Sequence, residues 1–324
     1  MTIRDSSILA ISEENDAHIP YVQQYFNQPF IVISPGDIPR GSELTFAWGK
    51  QGATIKYAGQ ILSGIDAVWY RKPTRIRELD LSLQDKYREY SLSGIERLFS
   101  ALKVSFQDAL WISDYYAIQR AENKPLQQIV ARELGFNIPD TLMTSSAAAV
   151  RRFREKHDSI VVKPLSLMPL TPDGQTTFPT TRIAKGDELN LEGLHYAPSI
   201  FQQSIDAQAD LRITVVGKEV HAAIIQDEGI AGFPEIRDWR LPYALDNGRK
   251  RFEKYELKPA LRKACVELVR KLGLQFGAID LVMDHKGKLW FLEINANGQW
   301  AFIEDDTGQP IGKSIAELIK KHRP

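Results

Sequence analysis

Cysteine is almost missing from this sequence: Cys265 stands alone in 324 residues, so no internal disulfide can form and a reducing compartment is expected. It lies in an apolar helical pattern, which reads as a core thiol and not a nucleophile. Net charge is missing too. Lys plus Arg and Asp plus Glu number 41 each, so no long-range field draws the chain to nucleic acid or to a membrane. An anionic ligand would have to be held by a local cluster. No apolar run is long enough to span a bilayer, and the opening MTIRDSSILAISEEN lacks the apolar segment of a signal peptide, which makes the cytoplasm the expected location. Internal repeats and low-complexity tracts are absent as well. What is present is an ordinary globular composition, 43% hydrophobic and 25% charged, with length for two or three domains.

The first hundred or so residues alternate short apolar runs with turn residues. SSILAIS, QPFIVIS and IDAVWYRKP predict strands, while HIPYVQQYF and the region of YSLSGIERLFSAL predict helices. That alternation implies a small α/β domain with some parallel sheet. Arg71 and Lys72 fall at a strand end, where sheets of this kind often bind ligands; a solvated strand end is the plain alternative. Further on, Asn123 and Pro125 start a helix with Leu126, Ile129, Val130 and Leu134 at helical spacing, and Gly135 ends it. A helix at SSAAAVRRFREKH precedes a β-branched strand, SIVVKPL, which carries Lys163. Residues 166–190, rich in Pro, Gly, Ser and Thr, predict a hairpin or loop. A strand at SIFQQSI, a hairpin at DLRITVVGKEVHAAII, an amphipathic helix over 257–273 and a last helix near IGKSIAELIKKH complete the pattern. His221, among alternating strand residues, reads as a structural histidine.

The stretch GAIDLVMDHKGKLWFLEINANGQW, residues 277–300, holds three polar groups inside two apolar runs: Asp280, Glu293 and Asn295. The runs are joined by Asp-His-Lys-Gly-Lys, a hairpin signal. A Lys286-Gly287 loop, or any even-length loop on that centre, sets Asp280 opposite Glu293. A three-residue loop would set Ile279 there instead. Opposed residues share a face with β-carbons about 5 Å apart, and Asn295 shares the face of Glu293 because it is two residues on. Two carboxylates so placed repel unless a cation lies between them. Mg²⁺ suits carboxylate and amide oxygens and is usually completed by water and phosphates. The alternatives are that one acid is protonated or that both face solvent. A magnesium-bound phosphate ligand asks for converging cations, and Lys124, Lys163 and Arg212 are the candidates.

In this order the signals resemble the ATP-grasp superfamily: NKPLQQIVARELGFNIPDTL with Lys124, VVKP with Lys163, the hinge IFQQSI, the hairpin DLRITVVG, and GAIDLV with FLEINAN. VWYRKP, DWR at 238–240 and the tail NGQWAFIEDDTGQPIGKSIAELI are similar to the microviridin-type ligases, the graspetide maturases that macrocyclise ribosomal peptides. The resemblance implies an α/β (α+β) fold with an N-terminal pre-grasp domain at 1–117, a small ATP-grasp subdomain at 118–200 and a C-terminal subdomain at 201–324 with the metal site. It implies ATP and one or two Mg²⁺ as cofactors, and an acyl phosphate that a hydroxyl or amine resolves into an ester or amide. Its partner would be a precursor peptide with a leader segment, and relatives of this kind are often homodimers. By resemblance, Lys124 and Lys163 hold phosphates, Arg212 and Arg240 face the transferred group, and Asp238 serves as a base or orients Arg240. Adenine sits in the hinge near Gln202, Gln203 and Ile205. The sequence departs from the pattern twice: SLMPLTPDGQTTFPTT lacks a glycine-rich run, and the hinge has Gln-Gln where Gln-Glu is common. Two rivals stay open, a ligase for small amino acids or protein termini of the glutathione-synthetase type, and a nucleotide-binding regulator without turnover.

Overall fold

In the computed structural model, residues 7–50, 52–73, 75, 76, 79, 81, 83–165, 180–226 and 252–322 are described. The chain opens with β1 (Ser7–Ile11), α1 (Ile19–Gln23), β2 (Ile31–Ile33), β3 (Leu44–Gly49), β4 (Gly52–Tyr57), β5 (Gln60–Ile61), β6 (Ile65–Tyr70), α2 (Asp85–Lys103) and β7 (Leu110–Ile112). Four of these strands form a sheet in the order β2-β1-β6-β7, with every neighbour parallel. Its inner strands are covered on both faces, which is why SILAI and IDAVWY read as unbroken apolar runs. The other three strands make a short antiparallel sheet beside it.

Next come α3 (Tyr115–Ala121), α4 (Lys124–Glu133), β8 (Thr141–Thr144), α5 (Ala147–Arg154), β9 (Ser159–Pro164), β10 (Thr181–Ala184) and β11 (Ser199–Gln203). Asn123 caps α4 as its sequence predicts, its side chain accepting from the Leu126 N–H at 3.0 Å. The strands form a small antiparallel sheet, β10-β9-β11-β8. The chain ends with β12 (Ala207–Val216), β13 (Glu219–Gln226), β14 (Glu253–Lys254), α6 (Pro259–Lys271), β15 (Phe276–Asp284), β16 (Leu289–Asn295), α7 (Ala301–Thr307) and α8 (Ile311–His322). Here the sheet is antiparallel in the order β14-β13-β12-β15-β16.

Packing divides these sheets unequally. Leu9, Ile11 and Val68 of the parallel sheet share one core with Leu211, Ile213, Ile279 and Phe291 of the large antiparallel sheet, with α3, α4 and α6 contributing. A second core joins the same two sheets through Ala10, Trp69, Ala223, Phe276, Trp300 and α8. The small sheet packs around its own core of Val150, Ile160, Leu194 and Phe201. Parallel and large sheets therefore share their cores, while the small sheet packs around its own. Cys265 is fully buried in the first core, and burial pushes its thiol up to about 12, as befits an inert core residue.

Candidate active site

The hairpin of β15 and β16 brings Asp280 directly opposite Glu293 and Ala278 opposite Asn295. It does so by a different route from the even-length loop. Met283 pairs with Leu289, and the Asp284 N–H donates to the Lys288 carbonyl at 3.0 Å, leaving a three-residue turn with Gly287 at φ 75. That turn alone would set Ile279 against Glu293. A bulge restores the pairing: Leu281 faces Phe291 while Asp280 faces Glu293, so Leu292 is the extra residue. The bulge is also why Phe291 and Ile294, three apart, share one core. Helix α4 covers this edge strand. Gln128 donates to the Leu292 carbonyl at 3.0 Å, and Gln127 both donates to the Ile294 carbonyl at 2.9 Å and accepts its N–H at 3.1 Å.

Across the sheet, Arg212 on β12 faces Asp280, extending the row to Arg212, Asp280 and Glu293 on three adjacent strands. Arg212 Nη1 donates to both Asp280 oxygens, at 2.6 and 2.8 Å, and its Nη2 donates to the Gln299 carbonyl at 3.1 Å. Lys124, in the first turn of α4, pairs with Glu293. Burial by itself would raise the Glu293 pKa. The charge and hydrogen bond of Lys124, the charge of Lys163 and the Asn295 amide together outweigh it and hold the carboxyl well below the usual range. Lys163 reaches this field from the small sheet. Its ammonium donates to Gln202 Oε1 at 3.0 Å, and Gln202 is fixed in turn by donating to Thr141 Oγ1 at 2.8 Å.

The donor set fits a hard cation. Asp280 Oδ2 and Glu293 Oε1 converge on the Asn295 amide nitrogen at 3.2 and 3.3 Å, and rotation of that amide would turn its oxygen to the same point. Among the described residues no three of His, Cys, Asp and Glu cluster in the way a metal site requires, so Asp280 and Glu293 stand as a pair with the Asn295 carboxamide beside them.

Other predicted residues fall elsewhere. The Gln202 side chain is committed to Lys163, and Gln203 accepts from the Asp140 N–H at 3.4 Å, so both support the hinge from within. Ile205 follows them, half-buried, at the entry to β12. Asp238, Arg240 and the loop at 166–179 lie outside the described residues. His221 is structural, its Nε2 lying 2.9 Å from Ser314 Oγ. Arg71, expected at a ligand-binding strand end, donates instead to the chain's own Asn297 carbonyl at 2.6 Å, while Lys72 is exposed. Asp16 and His18, which sequence reading overlooked, stand beside it. Only their polarity next to an apolar helix start could have signalled them.

Comparison with known proteins agrees with this geometry. Residues 186–319 match the RimK-like ATP-grasp domain. Two curated relatives, named probable alpha-L-glutamate ligases from Shewanella sp. and Picosynechococcus sp., are 32% identical over 113 residues. The chain spans about a third of their length, 34% in each case. Among solved structures, a Chryseobacterium gregarium RiPP-associated ATP-grasp ligase in complex with ADP and a leader and core peptide has a TM-score of 0.86 at 26% identity, covering 98% of both chains. Macrocyclase MdnC from Microcystis aeruginosa MRC, bound with precursor peptide MdnA, has a TM-score of 0.83 at 26% identity, covering 98% of this chain and 100% of that one. Residues 186–319 thus match a RimK-like ATP-grasp domain, and over 98% of its length this chain is similar in fold to solved ATP-grasp and macrocyclase structures.

Proposed function

We propose that this protein is an ATP-dependent ligase that macrocyclises a precursor peptide, joining a side-chain carboxylate to a hydroxyl or amine as an ester or amide. The observation that carries the reading is the row Arg212, Asp280, Glu293 with Lys124 at its end: alternating charges on one sheet face, with the charge of Lys163 from the small sheet acting on Glu293. Two solved structures with this fold and 26% identity hold precursor peptides, one of them with ADP.

Asp280, Glu293 and Asn295 would hold one or two Mg²⁺, which when bound supply charge neutralisation at the triphosphate. The remaining work falls to the chain. Lys124 and Lys163 hold phosphates as point charges from α4 and the small sheet, each kept in place by a partner it can release, Glu293 or Gln202. Arg212, clamped at both Nη atoms, offers a fixed guanidinium to the transferred phosphoryl group, where little covalent help is required. The peptide carboxylate takes up that group as an acyl phosphate, and the hydroxyl or amine then displaces phosphate. Arg240 would bind the same oxygens, with Asp238 orienting it or taking the nucleophile's proton. Gln202, Gln203 and Ile205 would border the adenine at the hinge. The enzyme would work in the cytoplasm on a leader-bearing peptide, without nucleic acid or membrane, and sizing would decide whether it is a homodimer.

Incubation with ATP, Mg²⁺ and the precursor peptide is expected to lower the peptide mass by one water per crosslink. An unchanged mass with folded, ATP-bound enzyme overturns the reading. A second reading, transfer of glutamate to a peptide or protein terminus, is favoured by the two glutamate-ligase relatives and would appear in the same spectra as a mass gain with free glutamate. ATP binding without ADP release under any substrate would mark a regulator.

A further inference from the structure

The parallel sheet reverses direction at β1: the chain steps out to β2, then returns to pair β6 on the other side. In open α/β sheets the crevice beyond the strand ends at such a point is a ligand site. Here the residues beyond β1 and β6 grip the chain's own segment Asn297–Trp300, and one carboxylate reaches both ends of it. Asp16 Oδ1 accepts from His18 Nδ1 at 2.8 Å, and His18 Nε2 accepts the Trp300 N–H at 3.1 Å. Asp16 Oδ2 accepts the Ser12 hydroxyl at 2.6 Å and lies 3.5 Å from Arg71 Nε, while Arg71 Nη1 donates to the Asn297 carbonyl at 2.6 Å. Arg71 is 2% exposed and His18 6%, so neither contact is made by a solvated surface group.

The gripped segment lies on Arg212. A β-carbon at Gly298 would come within 2.5 Å of Arg212 Nη2 and 2.5 Å of the Ala278 β-carbon, so only glycine fits. The next carbonyl, Gln299, accepts from that same Nη2. An ion pair with Asp280 through Nη1 alone would leave the guanidinium plane able to swing about that contact. The second anchor fixes the plane, and its own place is fixed by residues of the N-terminal sheet.

We propose that Asp16, His18 and Arg71 are positioning residues for Arg212: the N-terminal domain sets the segment Asn297–Gln299, and the segment sets the guanidinium that faces the reacting group. This rests on the ligase reading above. It makes the N-terminal domain part of the reaction machinery.

The test uses the full chain with Arg71→Lys, Gly298→Ala and the two combined. Affinity for a nonhydrolysable ATP analogue with Mg²⁺ is followed by calorimetry, and kcat and KM by ADP release with the precursor peptide. Each single variant is expected to bind the analogue within about twofold of wild type and keep its KM for ATP, yet lose kcat by on the order of 10²-fold, as a misplaced group does. The combined variant should be no slower than the slower single one, because both act through one guanidinium. Wild-type kcat in Arg71→Lys, a lost affinity for the analogue, or multiplying losses in the combined variant would each overturn the proposal. If Arg71→Lys fails to fold, Asp16→Asn takes its place with the same expected outcomes. A wild-type enzyme that releases no ADP with any peptide would overturn the ligase reading, and this inference with it.

Discussion

Glu293 illustrates how one residue can balance several demands. Its carboxylate is stabilised in the charged form by Lys124, Lys163 and the Asn295 amide against the cost of burial. Glu293→Gln keeps the shape and the packing but removes an anionic oxygen donor. We expect it to fold and to lose turnover by on the order of 10²–10³-fold, the equivalent of several kcal/mol, measured as peptide-dependent ADP release. His18 makes a prediction of another kind. Burial holds its pKa below the ordinary 6.5, and Nε2 must stay unprotonated to accept the Trp300 N–H. The unfolded chain therefore binds this proton more readily, and stability falls as pH drops from 6.5 through the lowered folded value. His221 is lowered by burial too and adds to the same loss. Thermal melts across that window should decline with acid, and His18→Gln, which does not titrate, should flatten part of the decline.

At the level of elements, the hairpin shows what local pattern can and cannot specify. The alternation of Asp280 with apolar neighbours, and the two-residue step from Glu293 to Asn295, put the three donors on one face, and that much was readable. The turn was not. Asp284 Oδ1 accepts the N–H groups of Lys286 and Lys288, both at 2.9 Å, and its Oδ2 takes the Trp290 indole N–H at 3.0 Å, which draws the loop to three residues. The bulge at Leu292 that repairs the register answers to α4, whose contacts lie more than 160 residues away in sequence. Long-range side-chain contacts of this kind leave no periodic trace. They also carry a prediction. Gln127→Leu is close in size but leaves the Ile294 N–H and C=O and the Ala121 C=O without their partner. Three such losses cost about 3–5 kcal/mol, which corresponds to a Tm lower by roughly 6–12 °C. Hydrogen exchange at the Ile294 amide should quicken, and turnover should fall with it, because the same strand holds Glu293 and Asn295. A melting curve unchanged from wild type would mean that α4 does not hold the edge.

Across the whole molecule the parallel and large sheets share their cores while the small sheet packs on its own, and Lys163 of the small sheet and Lys124 of α4 both act on Glu293. The order of motifs along the chain predicts subdomains at 1–117, 118–200 and 201–324, with α4 in the second; α4 packs in the core shared by the parallel and large sheets. The grip of the N-terminal sheet on Asn297–Trp300 stayed hidden, since it joins residues 226 and 282 positions apart. With Lys163 on the small sheet and Lys124 on α4 both within the field of Glu293, a triphosphate would tie together two cores that otherwise share little. Ligand that binds only the folded state stabilises it by about 2.7 kcal/mol at a hundred times Kd, or roughly 5 °C for a chain of this size. A nonhydrolysable ATP analogue and Mg²⁺ together should therefore raise Tm by more than the sum of either alone, because the ion is held by protein and phosphate jointly. Glu293→Gln should erase the magnesium increment, whereas Lys163→Met should reduce the nucleotide increment with or without the ion. If magnesium adds nothing to the effect of the analogue in the wild type, Asp280, Glu293 and Asn295 do not form the cation cradle.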